Sequence, residues 1–391
     1  MTRRTGASLL LLAAIVALAL AAYVLRRSPR PEVPRTSGPE VAASAAGGQA
    51  LAVFGEIPMY QEMLRGAAVH RADRDREGTI HVDLDLPALL KPRLSDRGLD
   101  ALCDGLPRSA QGEIRPDGSE RWVLDGEAPM LAVLDPHPGD RTGSSAWSSI
   151  PGEPSAIAAA RIIPARLAQP DFGGPALTDW RARVDIAEKV LGRPLRRELA
   201  EDLGGLAVFA LYEPTPGREP SALVAVELNR SDRLRSLFDT MFALAALTER
   251  ATIHRHRDVP VGFLRSPATG AGWAIAIDGD ALLLARSSHL VEAAIDARRR
   301  RGSDTPLVAR ARALRASWGA ISESAFVARG WARVARAVAS GDVSGRTESV
   351  LTAEGPSSWR LTGTGPRPAI TADPVVPFLR TVWRPAQRGA D

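Results

Sequence analysis

Cysteine and lysine are scarce in this chain of 391 residues. Its one cysteine, Cys103, excludes an intrachain disulfide framework, and its distance from the N-terminus excludes a lipid-anchored lipoprotein. Leucines at helical spacing around Cys103 predict a buried structural role for the thiol rather than a nucleophilic one. Lys91 and Lys189 are the only lysines, so nearly every cation is an arginine. The single cysteine therefore excludes disulfide-stabilised domains as a class.

Motifs typical of common enzyme classes are also missing. The sequence contains no Gly-x-Ser-x-Gly, no His-Glu-x-x-His and no Gly-Lys-Ser/Thr. Gly204 and Gly205 precede a predicted strand, whereas phosphate-binding glycines follow a strand and open a helix, so this pair is predicted to end a helix. We therefore expect no cofactor. The absence of these motifs does not exclude an enzyme whose site is assembled from residues that are distant in the sequence.

The positive charge is concentrated at the N-terminus. Of the net charge of +5, residues 1–40 carry +4 (six arginines and two glutamates), which leaves +1 for the rest. A nearly neutral domain lacks the basic surface that nucleic-acid binding requires, so no nucleic-acid partner is expected. The arginine run 298–301 is predicted to end a helix, where cations complement the helix dipole, rather than to bind a ligand.

One long apolar segment, residues 9–25, begins at Leu9 and ends at Leu25, with arginine pairs before and after it. As a helix it would extend about 25 Å, and with residues 6–8 it reaches the ~20 residues that span a bilayer. The competing interpretation is a cleaved secretory signal ending at Ala19-Leu20-Ala21. Because apolar residues continue to Leu25, we favour an uncleaved transmembrane helix with the lipid bilayer as its partner.

The domain organisation follows from this segment. We expect a short tail at 1–8, a transmembrane signal-anchor helix at 9–25, a Pro/Ala/Gly-rich linker at 26–49 and an extracytoplasmic α+β domain at 50–391. A sub-boundary is expected near 136–152. Long domains are translocated largely regardless of flanking charge. The prediction is a single-pass protein of the bacterial inner membrane, with its large domain facing the periplasm or the cell exterior.

Hydrophobic periodicity predicts intermingled strands and helices. Residues 79–86 alternate between apolar side chains and the polar His81, Asp83 and Asp85, which are typical of the solvated face of a half-buried strand. A hairpin is predicted over 273–285 with Asp-Gly at its turn. Further strands are predicted at 206–212 and 222–228, and helices at 232–247 and 290–301. Short connections between strands favour an α+β fold with mostly antiparallel sheets and packed helices.

A short pattern occurs twice in the chain. Trp-x-Leu-x-Gly-x-x-Pro begins at Trp122 and again at Trp359, and each copy follows a predicted strand and turn and continues to an Asp-Pro pair. Coincidence in a chain rich in glycine and proline is the alternative. Because order, spacing and flanking turns all match, we favour an internal duplication.

Over about residues 190–307 the chain resembles an uncharacterised family of bacterial membrane-anchored exported proteins with a domain of unknown function. The matching residues are Val190-Leu191-Gly192, the run 199–205, the strand 223–228 before Asp232, and the run 274–285 leading to 291–296. The resemblance implies an α+β domain facing the cell envelope. It supplies no catalytic residues.

The strongest candidate site is His254 and His256 with Asp258. Alternation along a strand would place the two imidazoles and the carboxylate on one face, and these groups are zinc ligands. A further ligand is not identifiable, and arginines lie between them, so an exposed strand edge is the favoured interpretation.

These observations predict a membrane-tethered cell-envelope protein that acts as a non-enzymatic binding or scaffold protein. Its expected partner is an envelope protein or an apolar ligand. The alternative is a metal-dependent hydrolase that uses His254, His256 and Asp258. A third possibility is a purely structural component of the envelope.

Overall fold

The computed structural model describes residues 69–77, 79–85, 87–88, 104–105, 107–115, 119–129, 131–140, 142–154, 156–212, 221–246, 251–265, 272–300, 305–322, 347–354 and 358–364. The predicted tail, the transmembrane helix at 9–25, the linker at 26–49 and Cys103 lie outside these residues. Within them, no helix combines the length and the apolar character needed to cross a bilayer.

The described strands form one antiparallel sheet. In chain order they are β1 (Val69–Arg74), β2 (Ile80–Asp85), β3 (Ser109–Ile114), β4 (Ser119–Asp125), β5 (Ala156–Arg161), β6 (Leu203–Tyr212), β7 (Ser221–Leu228), β8 (Ala251–His256), β9 (Val259–Arg265), β10 (Gly272–Asp278), β11 (Ala281–Ala285), β12 (Trp318–Ser322), β13 (Thr347–Ala353) and β14 (Ser358–Thr364). Across the sheet their order is β1-β2-β3-β4-β14-β13-β12-β5-β6-β7-β11-β10-β9-β8. The mixture of helices with antiparallel sheet confirms the predicted α+β class.

Six α-helices lie in the described residues. They are α1 (Ser145–Ser148), α2 (Thr178–Leu191), α3 (Leu195–Asp202), α4 (Asp232–Ala246), α5 (Ser288–Arg299) and α6 (Pro306–Ala313). Helices α1, α5 and α6 pack on one face of the sheet, and α2, α3 and α4 pack on the other.

Helices therefore lie on both faces of the strands β6, β7 and β9–β11, which we call the covered region. Successive residues of β7 alternate between two cores: Val224 and Val226 face α2–α4, whereas Leu223 and Ala225 face α1, α5 and α6. A strand that is buried on both faces needs apolar residues at every position. The run Ala-Leu-Leu-Leu-Ala of β11 meets this need, since all five residues are buried.

The core beneath α4 depends on one close approach between a ring and the sheet. Phe242 is fully buried and packs against Phe238, with ring centroids 4.3 Å apart. A Cβ atom added at Gly262 would lie 2.1 Å from Cε1 of Phe242. The glycine therefore gives the aromatic ring room to lie against the strand.

The strands β1–β4, β13 and β14, toward the other end of the sheet, form what we call the wing. Here alternate residues are buried: Val82 is 2% exposed and Trp122 is fully buried, whereas His81, Asp83 and Asp85 are half-buried on the opposite face. Val82 and these three polar residues, the described side chains of the alternating set, follow the pattern predicted for 79–86. Trp122 lies over Gly112, where an added Cβ would be 2.2 Å from its ring.

The two copies of the repeated pattern are neighbours in the wing. Strands β4 and β14 pair antiparallel, so that Trp122 lies opposite Leu361 and Leu124 lies opposite Trp359. The pairing is symmetric about Val123 and Arg360. Each strand is also the second strand of a hairpin, β3–β4 or β13–β14.

The other predicted elements are found close to their expected positions. The hairpin β10–β11 turns at Gly279, whose φ of 59° suits a two-residue turn with glycine first. Helix α3 ends at Asp202 as expected, but Gly204 and Gly205 lie inside β6 rather than outside it. They form a bulge in the β6–β7 pairing, and the amide of Gly205 donates to Glu227 over 3.1 Å.

Candidate functional site

The predicted site lies at one end of the sheet, on the hairpin β8–β9. Because His256 pairs with Val259, Arg257 and Asp258 form a two-residue turn, and both have positive φ, 47° and 68°. Such turns favour Asn-Gly, and a side chain held in this region costs on the order of 1–3 kcal/mol. The turn ends the alternation of the strand. Asp258 therefore lies in the turn and not on the strand face that carries His254 and His256.

The side chain of His254 lies against helix α5. Its Nε2 is 2.7 Å from Oε1 of Glu292, and the other carboxylate oxygen of Glu292 is 3.5 Å from Nδ1 of His289. His254 and His289 are exposed, whereas the Glu292 side chain is only 21% exposed. Glu292 thus bridges two imidazoles at the surface.

His256 makes the second contact with the same helix. Its Nε2 is 3.0 Å from Oδ1 of Asp296, and Nε of Arg257 donates to the same oxygen over 2.6 Å. The hydrogen bond from His256 lowers the pKa of Asp296 below its ordinary value, and the nearby charge of Arg257 lowers it further. Asp296 therefore holds both the end of the strand and the strained turn.

Strand and helix geometry explain why two such pairs form side by side. Residues two apart on a strand share a face and are separated by about 6.8 Å along it. Residues four apart on a helix rise by about 6 Å and also share a face. His254 and His256 therefore match Glu292 and Asp296, so the two pairs attach β8 to α5.

This arrangement does not gather the predicted zinc ligands around one point. His254 and His256 each face a different carboxylate, and Asp258 lies in the turn. Among the residues that the structure describes, no three His, Cys, Asp or Glu side chains are placed to hold a metal ion. The described contacts join an edge strand to a helix.

The arginines at the end of α5 also make structural contacts. Arg298 donates to the carbonyl of Asp278 and to the carboxylate of Asp280, and it lies against Gly279 of the β10–β11 turn. Arg299 donates to the carbonyl of Arg257. As predicted, the run lies at a helix end, since α5 ends at Arg299. The structure adds that two of these side chains fix two neighbouring turns.

A buried carboxylate lies outside this site. Asp202, the last residue of α3, is fully buried, and neither carboxylate oxygen accepts a hydrogen bond from the described residues. Nε of Arg233 approaches it only to 4.0 Å. Burial raises the pKa of Asp202 above its ordinary value. Asp202 is thus a buried carboxyl group to which no described residue donates a hydrogen bond.

The sequence interpretation missed the carboxylates that contact the two histidines. Glu292 and Asp296 are four residues apart on the predicted helix, which was the available signal for an acidic stripe. Nothing in the sequence indicated that this stripe faces β8, because the contact joins segments about 40 residues apart.

No protein-family model matches this chain, and no curated protein or solved structure is significantly similar to it.

Proposed function

We propose that this chain is a membrane-tethered cell-envelope protein whose α+β domain is a non-enzymatic binding or scaffold element. The observation that carries the proposal is the apolar segment 9–25 between two arginine pairs, followed by a linker rich in proline, alanine and glycine. Such a segment anchors a chain in the inner membrane and leaves the domain in the periplasm or outside the cell. The resemblance inferred over residues 190–307 implies the same location.

The contacts of the candidate site connect two secondary-structure elements, which suits a binding or scaffold element. His254 and His256 are the general acid–base candidates, and each contacts a carboxylate of α5 through Nε2. The proposed partner is another envelope protein, with an apolar ligand as the other class.

Cell fractionation tests the tether directly. The full-length chain is expected in the inner-membrane fraction, and protease added to spheroplasts is expected to digest the domain without cell lysis. The double variant Ile15→Arg/Leu18→Arg is expected to release the chain, because each arginine at a helix centre costs about 3 kcal/mol of insertion. The matched control Ile15→Leu/Leu18→Ile keeps the segment apolar. Wild-type chain in the soluble cytosol, or a domain protected in spheroplasts, would overturn the proposal.

The alternative function is a metal-dependent hydrolase that uses His254, His256 and Asp258. One observation favours it: three imidazoles and two carboxylates lie together on β8 and α5. Release of these groups from each other would free metal ligands. Metal analysis of the purified protein separates the two functions. Stoichiometric zinc that is lost in His254→Ala supports the hydrolase, whereas a low zinc content unchanged by this substitution removes it.

We also infer that the wing contains an internal duplication. The hairpins β3–β4 and β13–β14 carry the repeated tryptophan and leucine on their second strands, and these strands pair symmetrically. In each hairpin the residue opposite the tryptophan is small, Gly112 or Ala353. Duplicated hairpins that pair with each other build a wide sheet from one short pattern, which suits a scaffold.

A further inference from the structure

Strand β8 forms one of the two edges of the sheet. It pairs with β9 on one side, and none of the described strands pairs with its other side. Its four central side chains, 252–255, are exposed. Ile253 is 49% exposed and is one of two large apolar side chains that the described residues present to solvent, the other being Ile186 on α2.

The β8–β9 turn determines which backbone groups face outward. In a two-residue hairpin the residues that flank the turn exchange hydrogen bonds, and the pairs then alternate. His256 pairs with Val259 in this way, so the next pair, Arg255 and Pro260, exchanges none. The N–H and C=O groups of Ala251, Ile253 and Arg255 therefore point away from β9, toward the open side.

The opposite edge of the sheet differs in two respects. Strand β1 has a shift in register between Val69 and Arg71, and half of its sequence Val-His-Arg-Ala-Asp-Arg is charged. Bulges and charges protect edge strands from pairing with other chains. Strand β8 pairs with β9 without any shift and carries Ile253 at its centre. It has the regular geometry that an added strand requires.

We propose that two copies of this chain associate by antiparallel pairing of their β8 strands about Ile253. In this register Ile253 lies opposite Ile253 of the second copy, and Ala251 lies opposite Arg255. All three outward-facing residues of each strand then pair, which uses every free backbone group of the edge. The two isoleucines share one face and exclude water from each other.

Charges favour this register over its neighbours. Arg255 lies opposite alanine, and His254 lies opposite Thr252, so no like charges oppose one another. If either strand slides by one residue, outward-facing backbone groups meet inward-facing ones. A slide by two residues in one direction places His254 opposite itself, and in the other direction it pairs Ile253 with Ala251 and leaves Arg255 without a partner in β8. With Ile253 at the centre, the outward-facing residues Ala251, Ile253 and Arg255 can therefore pair with the same three residues of a second copy.

This inference deepens the proposed function and rests on it in one respect. Two copies anchored in the same membrane face the same side and are held at a raised effective concentration, which favours pairing of two short strands. A two-fold axis along the membrane normal would allow the N-terminal segments of both copies to enter the same membrane. The partner of the proposed scaffold is then, in the first instance, the protein itself.

Disulfide crosslinking in native membranes tests the pairing. The full-length chain carries Cys103→Ser and Ile253→Cys, so one thiol remains. Residues opposite each other in a hydrogen-bonded pair have Cα atoms about 5.5 Å apart, which a disulfide spans. Mild oxidation is expected to convert most of the chain to a species of twice 41.6 kDa. Ile186→Cys in the same background is the matched control, because Ile186 is 55% exposed but lies on α2, and it is expected to stay monomeric.

A second variant removes the outward donor without disturbing the fold. Ile253→Pro deletes an N–H that points away from β9, so the β8–β9 ladder remains, but the bond to the second copy is lost. The full-length variant in detergent is expected to sediment as a monomer, while Ile253→Val sediments as a dimer. An unchanged thermal unfolding midpoint in Ile253→Pro shows that the fold is intact.

The outcomes separate this inference from the proposed function. No crosslink at Ile253→Cys, equal crosslinking at Ile186→Cys, a crosslinked species of another mass, or a dimeric Ile253→Pro would each overturn the pairing. In all these cases the chain can still be found in the membrane fraction, which leaves the tether standing. Recovery of the wild-type chain in the soluble fraction would overturn the membrane tether, and this measurement is independent of the crosslinking result.

Discussion

The covered region and the wing belong to one sheet but are stabilised differently. In the covered region helices lie on both faces, so that adjacent residues such as Leu283 and Leu284 are both buried. In the wing burial alternates, with Trp122 and Leu124 buried and Val123 between them half-buried. A continuous backbone ladder thus carries two hydrophobic patterns.

The helices, and not the strand pairing, therefore set the side-chain requirement. Both regions have the same antiparallel hydrogen bonding. Strands with one covered face need only alternate apolar residues, whereas strands between two helical layers need an apolar residue at each position. The four predictions below test this difference, beginning with the largest expected effect.

Polar substitutions at adjacent positions should separate the two regions. In β11, Leu283→Asn and Leu284→Asn are each expected to lower the free energy of unfolding by about 3–5 kcal/mol, because each removes buried apolar contacts and buries an amide. In β4, Leu124→Asn is expected to be similarly costly, but Val123→Asn should cost about 1 kcal/mol or less. Urea unfolding measures each value. An equal cost at Val123 and Leu124 would mean that both faces of the wing are covered.

Glycine substitutions should show close packing in both regions. Gly262→Ala pushes a methyl group into the ring of Phe242, and Gly112→Ala pushes one into the ring of Trp122. Overpacking of this kind costs about 1–3 kcal/mol. Gly139→Ala is the matched control, since its added Cβ meets no atom within 4 Å. Thermal unfolding should rank the control closest to wild type, and a neutral Gly262→Ala would contradict the tight contact beneath α4.

The buried acid of the covered region should destabilise the protein at neutral pH. Burial raises the folded-state pKa of Asp202, so the stability it contributes is complete at low pH and is lost as pH rises through that pKa. Asp202→Asn is therefore expected to raise the stability at pH 7 by roughly 1 kcal/mol, with Arg233 limiting the gain. The difference from wild type should close below about pH 4. Asp125→Asn, at an exposed position of the wing, is the control.

The smallest effect is expected beside the covered region, where α5 holds β8. His256 and Arg257 lower the pKa of Asp296, so its contribution to stability is present above its ordinary pKa and is lost as pH falls through the folded-state value. Asp296→Asn should reduce stability at pH 7 slightly, as for partly exposed ion pairs, and the reduction should vanish in acid. Asp232→Asn is the control, since Asp232 is 97% exposed. A loss that persists in acid would indicate a packing role.

Much of the fold could be predicted from local patterns. Alternation predicted β2, the glycine turn predicted the hairpin β10–β11, and apolar spacing predicted α4 and α5. The bulge at Gly204 and Gly205 could not be predicted, because it arises where β6 adjusts to Glu227 on the neighbouring strand. The site was predicted only in part: the shared face of His254 and His256 follows from their spacing, but the turn at Asp258 follows from the register with β9.

Local patterns in the amino-acid sequence were enough to identify elements such as β2, the hairpin β10–β11, α4 and α5, because these patterns depend on neighbours within a few residues. They were also enough to show that one apolar segment near the N-terminus has the length of a membrane span. The tertiary structure was needed to show that β4 pairs with β14, that Glu292 and Asp296 contact the histidines of β8, and that β8 lies at the edge of the described strands. These contacts join distant parts of the chain, and their registers are fixed by packing against several elements at once.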